Sequence, residues 1–208
     1  MNEDEKIAAC RNGLNQIYEV LRTSPLRSRN HIELGRSIIA LLDSTTFMTR
    51  CSAAREQVRI INALQQLAYV DADNDVVADI AAWCSRQWLS VLERDPQNVA
   101  ALRGVGQCWL SRAQGSLARI HRRDGSSSSS GGSSQQSVLS LSPETRDRLS
   151  VSSREEAEAR AGTQDYVEAR QFLQPATEYL DRAIGAAVAQ DVLTGDLLAL
   201  VRIEHQRL

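Results

Sequence analysis

Three histidines, four cysteines and a cluster of arginines are the residues of this 208-residue chain whose chemistry could define a site. His31, His121 and His205 stand alone beside charged neighbours, without the H-x-x-x-H or H-E-x-x-H spacing that holds zinc, and read as solvated surface side chains. Cys10, Cys51, Cys84 and Cys108 form no C-x-x-C pair and fall in stretches of helical period, so they read as buried reduced thiols rather than disulfides or zinc ligands. The segment GVGQCW, residues 104–109, has two glycines but lacks the third glycine, the preceding strand and the lysine of a phosphate-binding loop; helix packing explains it better. No base is spaced to activate a Ser or Cys nucleophile, so the expectation is a chain that is not an enzyme and carries neither metal nor cofactor. Arg112, Arg119, Arg122 and Arg123, with His121, make one helix end basic, suited to an acidic peptide or to nucleic-acid phosphates, although a helix C-terminus itself favours positive charge. Ser142, followed by Pro143, has the form of a proline-directed phosphorylation site.

These residues need elements to position them, and the hydrophobic period is helical throughout. Ile7, Cys10, Leu14, Ile17 and Leu21 step by three and four, predicting a helix over about Asp4 to Arg22 that ends at Ser24-Pro25. A second is predicted from Asn30 to Leu42 with Leu34, Ile38, Leu41 and Leu42 inward. A third begins near Thr46, with Phe47, Cys51, Ala54, Val58, Ile61, Leu64 and Leu67 on one stripe. DADND, Asp71 to Asp75, supplies turn formers and an N-cap for a fourth, Asp75 to Arg94, whose apolar residues cover more than half its circumference and predict neighbours on two sides. No segment alternates with period two. The fold class is therefore all-α, an antiparallel helical-hairpin array of about seven helices. Residues 1–123 form its N-terminal part and 154–208 complete the same array. Between them, the Ser- and Gly-rich residues 124–153 hold too few large apolar side chains to offset the entropy of ordering, so a disordered insertion is expected there.

The stretch Glu93 to Gln114 resembles the junction between two tetratricopeptide repeats (TPR). Asp95, Pro96 and Asn98 match the Asp-Pro turn and the Asn before the next helix; Leu102, Val105, Gly106 and Trp109 match the large, Leu, Gly and aromatic positions. Counting backwards, Cys84, Trp88 and Val91 match the small, aromatic and small apolar positions. Gly106 would admit a close partner helix while Trp88 and Trp109 fill the space between pairs. A second fragment, Gln164 to Leu180, resembles the family's second helix through Tyr166, Ala169, Leu173 and Ala176, and implies that the helix from Val99 to Arg123 pairs with the one from about Asp165. Pro175 inside it predicts a kink or break between Phe172 and Ala176. Over the whole chain the sequence is similar to TPR-like proteins of filamentous fungi. The resemblance implies a non-catalytic adaptor or scaffold whose concave face, built by first helices, holds a protein partner; carried over, that face includes Asn98, Arg103, Gln107 and Arg112. The chaperone-clamp lysine pattern is absent. The alternative is a nucleic-acid-associated repeat using the strip from Arg112 through Arg119 and Arg122 to Arg123.

The totals bound these readings. With 42% hydrophobic residues and a net charge of −2, the chain can bury a real core and is not a polyelectrolyte, so nucleic acid is the less favoured partner. Lys6 is its only lysine, an imbalance spread over the whole chain that reads as coding bias. No apolar run approaches a membrane span and MNEDEKIAAC is acidic where a targeting peptide is basic, so no membrane and a cytoplasmic or nuclear location are expected. The last segment, TGDLLALVRIEHQRL, reads as a helix capped by Thr194 that starts another pair, and its uncovered end fits either a homo-oligomer contact or a shortened product.

Overall fold

The computed structural model describes residues 2–23, 30–50, 54–69, 77–128, 161–195 and 197–199, with the backbone alone over 124–128. Every regular element among them is helical. In chain order they are α1 (Glu3–Thr23), α2 (Ile32–Asp43), a 3-10 turn (Phe47–Thr49), α3 (Ala54–Tyr69), α4 (Ala78–Arg94), α5 (Val99–Ser128) and α6 (Gln164–Ala189). The chain divides into two compact units, one of residues 1–111 with 175–208 and one of residues 112–174.

In the first unit α1 packs on α2, α3 packs on α4, and α1 also meets α3. α1 starts with a reciprocal capping box: Asn2 Oδ1 accepts the Glu5 backbone N–H, and Glu5 Oε2 accepts that of Asn2, both at 2.8 Å. Its buried stripe is Ile7, Cys10, Gly13, Leu14 and Ile17, the predicted apolar face plus one glycine. The third helix departs from expectation. Instead of one helix from Thr46, the chain makes the 3-10 turn and runs extended at Arg50, and α3 is described from Ala54. Hydroxyl side chains cause this, because Ser44, Thr45 and Thr49 each donate to a carbonyl three residues back, at 2.7, 2.7 and 2.8 Å, and so compete with helical backbone pairing. Buried Gln57 then fixes the break, its Nε2 donating to the carbonyls of Phe47 (2.7 Å) and Arg50 (2.8 Å).

The Asp71–Asp75 cap predicted for α4 lies outside the described residues; α4 begins at Ala78 after Val77, which offers no side-chain cap. α4 meets both α2 and α3, as its broad apolar surface requires. Trp83 and Trp88 are fully buried, and Trp83 Nε1 donates to Asp43 Oδ1 at 2.8 Å. The turn into α5 is held by Asn98, whose Oδ1 accepts the Ala101 N–H and whose Nδ2 donates to Asp95 Oδ2, both at 3.1 Å.

Two of the four glycines of α5, Gly104 and Gly106, each face a separate neighbour. A Cβ on Gly104 would stand 2.5 Å from Trp88 Nε1, inside the indole; one on Gly106 would stand 2.7 Å from Leu180 Cγ and 3.3 Å from the Ala176 carbonyl oxygen of α6. At these two positions glycine stands where a neighbour approaches more closely than a side chain permits. α5 runs past Arg123 to Ser128, so its basic residues lie short of the helix end, and α6 continues through Pro175 without the predicted break. Burial on both sides of the proline, at Leu173 and at Ala176 and Leu180, holds the helix despite the lost backbone donor. α6 ends in a Schellman motif: Val192 N–H reaches the Ala187 carbonyl (2.9 Å), Asp191 N–H reaches that of Val188 (3.2 Å), and Asp191 takes the left-handed conformation at φ 56°. A helical turn follows Thr194, with Leu197 buried.

In the second unit, Ala113, Ser116 and Ile120 of α5 and Ala169 and Leu173 of α6 are buried. Arg119 Nε donates to Asp165 Oδ1 at 2.7 Å and its Nη2 to Glu168, while Arg123 reaches Asp165 Oδ2 at 3.2 Å. The predicted pairing of these two stretches is thus present in these ion pairs.

Candidate partner-binding surfaces

The repeat-signature positions are mostly core. Cys84, Trp88, Val91, Leu102, Val105, Ala169, Leu173 and Ala176 are buried, Trp109 packs half-buried on the core, and Tyr166 is half-buried and Pro96 exposed. The residues assigned to a partner divide. Asn98 is occupied as the α5 cap, Arg103 and Gln107 are half-buried, and Arg112 is exposed. Of the basic strip, Arg119 and Arg123 are ion-paired to Asp165 and Glu168, and Arg122 Nε donates to the Ala118 carbonyl. The Arg119 guanidinium, with Arg123 beside it, holds the Asp165 carboxyl below the usual carboxylate range. Ser142 and His205 lie outside the described residues.

His31 corrects one expectation. It is half-buried at the start of α2, where its Nδ1 is enclosed without a hydrogen-bond partner among the described residues, so it is not a solvated surface histidine; His121 is exposed. Cys10, Cys84 and Cys108 are buried free thiols. Desolvation pushes the Cys84 thiol well up, which keeps it protonated and unreactive.

A feature the sequence reading missed lies between α1 and α3. Two clefts, of about 240 Å³ and 590 Å³, open there and share Asn15, Tyr18 and Arg59. Leu14, Ile60 and Leu21 give apolar lining, and Asn15 and Gln66 give amides. Arg11 grips Glu56 through two N–H donors at 2.5 and 2.9 Å, a bidentate pair that lowers the Glu56 pKa. Arg22 pairs with Glu19 at 2.8 Å. Tyr18 donates its hydroxyl to the Arg59 carbonyl at 2.7 Å, and the Arg59 guanidinium lies 5.9 Å from the centre of the Tyr18 ring. Burial raises the Tyr18 phenol, so it stays a neutral donor. The only sequence trace of this surface is polar residues at helical spacing opposite the core stripe of α1, a pattern shared by any solvated helix face.

The buried polar groups were equally hidden. Gln65 Nε2 donates to the Gly104 carbonyl at 2.8 Å and lies against Cys108 Sγ at 3.2 Å and the Tyr69 hydroxyl, while its Oε1 accepts from Trp88 Nε1 at 2.7 Å. Among the described residues, no three His, Cys, Asp or Glu side chains are grouped to hold a metal, and no helix is long and apolar enough to cross a membrane. No protein-family model, curated protein or solved structure matches this chain.

Proposed function

We propose that this chain is a non-catalytic adaptor of the TPR-like kind, holding a segment of a protein partner against the first helices of its hairpins. The observation that carries the reading is the place of the two clefts: both lie on α1 and α3, the leading helices of the α1–α2 and α3–α4 pairs. Their mixture of apolar lining, side-chain amides and a guanidinium is what a peptide needs, since its backbone donors and acceptors must be met when water is displaced. The buried thiols suit a reducing compartment, cytoplasm or nucleus. The nucleic-acid alternative is weakened by the commitment of Arg119 and Arg123 to Asp165 and Glu168, which leaves less free positive charge for phosphates.

Selection of peptides from a random display library, followed by hydrogen exchange of the complex, tests the reading. Selected peptides should slow exchange in α1 and α3. Recovery of none, or protection confined to other helices, overturns it.

A further inference from the structure

We propose that the α1/α3 clefts take an acidic peptide segment, with Arg59 as the anchor for one of its carboxylates; the inference rests on the adaptor reading above. Of the charged residues lining the clefts, Arg11 is committed to Glu56 and Arg22 to Glu19, so their charges cancel in pairs. Arg59 makes no ion pair among the described residues, though its charge also acts on Glu56, and the lining as a whole keeps the sign of its guanidinium. That group is also placed in advance. Tyr18 stands beside it, and the hydroxyl of the same tyrosine holds the Arg59 backbone carbonyl at 2.7 Å. A guanidinium positioned against an aromatic face keeps its fork of N–H donors for a planar carboxylate and loses little entropy on binding. Asn15 belongs to both clefts and Gln66 to the larger, and their amides can satisfy the peptide backbone on either side of that carboxylate.

The same inventory argues against a phosphate backbone. A nucleic-acid strand places a charge at every nucleotide, and here it would meet one guanidinium outside an ion pair, between two carboxylates, Glu19 and Glu56. A peptide carrying one or two acidic side chains fits that spacing of charge.

The test uses the full chain and three fluorescein-labelled probes: hexaglutamate, hexalysine and a single-stranded oligothymidylate. Anisotropy titrations at low salt should show hexaglutamate binding and no hexalysine binding. The Arg59→Gln variant should weaken hexaglutamate roughly tenfold, the loss of one charge-assisted hydrogen-bonded pair. Arg36→Gln should leave it unchanged, because Arg36 is engaged by Asp79 and Glu33 on a different face. Thermal melting of each variant establishes that it is folded. Equal affinity of wild type and Arg59→Gln for hexaglutamate, or tighter Arg59-dependent binding of the oligothymidylate, overturns the proposal. If displayed peptides protect α1 and α3 but are neutral or basic, the acidic assignment fails while the adaptor reading stands; if no peptide binds there, both fail.

Discussion

The Oε1 of Gln65 on α3 accepts the indole N–H of Trp88 on α4 at 2.7 Å, and the amide nitrogen of the same glutamine donates to the Gly104 carbonyl of α5 at 2.8 Å. One buried side chain therefore ties three consecutive helices at the level where the indole lies on the glycine. Replacing Gln65 by Leu strands one donor and one acceptor out of water, and urea denaturation should show a loss of about 2–4 kcal/mol. Leu matches the glutamine closely in volume, so a neutral result would mean that the network contributes nothing beyond packing.

Glycine-to-alanine substitutions should change stability with opposite sign at different sites. At Gly104 and Gly106 the added methyl meets the Trp88 ring and Leu180, and equilibrium unfolding should show destabilisation of about 1–3 kcal/mol. At Gly185, on the exposed side of α6, nothing lies within 4 Å of the added carbon. There, the better helix propensity of alanine should add about 0.5–1 kcal/mol.

Acid should loosen the first unit. Hydrogen bonding from Arg11 lowers the Glu56 pKa, and that from Arg36 lowers the Asp79 pKa. Depressed carboxylates contribute stability at neutral pH, and that contribution is lost as pH falls through and below their normal range. Melting temperatures should therefore decline below about pH 5. Glu56→Gln should flatten the decline; an identical slope in the variant would exclude the Arg11 pair as a contributor.

Alkali should act through the thiols. Burial raises the pKa of Cys84, so at high pH the unfolded chain releases a proton that the folded chain retains, and stability falls above about pH 8.5. In the native protein at neutral pH, iodoacetamide should modify Cys10, Cys84 and Cys108 far more slowly than in urea, with mass spectrometry of tryptic peptides as the readout. Rapid native modification of Cys84 would contradict its burial.

Where a residue's role depends on its own neighbours in sequence, it was legible. The three-and-four stepping of Ile7, Cys10, Leu14 and Ile17 gave the inner face of α1, and Asp95, Pro96 and Asn98 gave the start of α5. The proximity of Gly106 to a second helix followed from the resemblance to a repeat junction. What failed depended on partners distant along the chain. Phe47 keeps the helical period of α3, yet it belongs to a 3-10 turn because Gln57 takes its carbonyl. Gln57 and Gln65 look like surface residues until Arg94 and Trp88 are seen to bond their oxygens. Pro175 is a helix breaker by its local chemistry, whereas burial on both sides of it decides the outcome. The α1/α3 clefts could not be read at all, since Arg59 and Tyr18 become neighbours only when their helices cross.

The contact between Gly106 and Leu180 also sets an order of events during synthesis. Each of the first two hairpins joins helices adjacent in the chain, so each can close soon after its second helix leaves the ribosome. The α6-facing side of α5 has no such neighbour: Leu180 is made only after the long serine-rich tract has been translated, several seconds later at ordinary elongation rates. Throughout that interval Gly106 lacks the helix that packs on it in the finished fold.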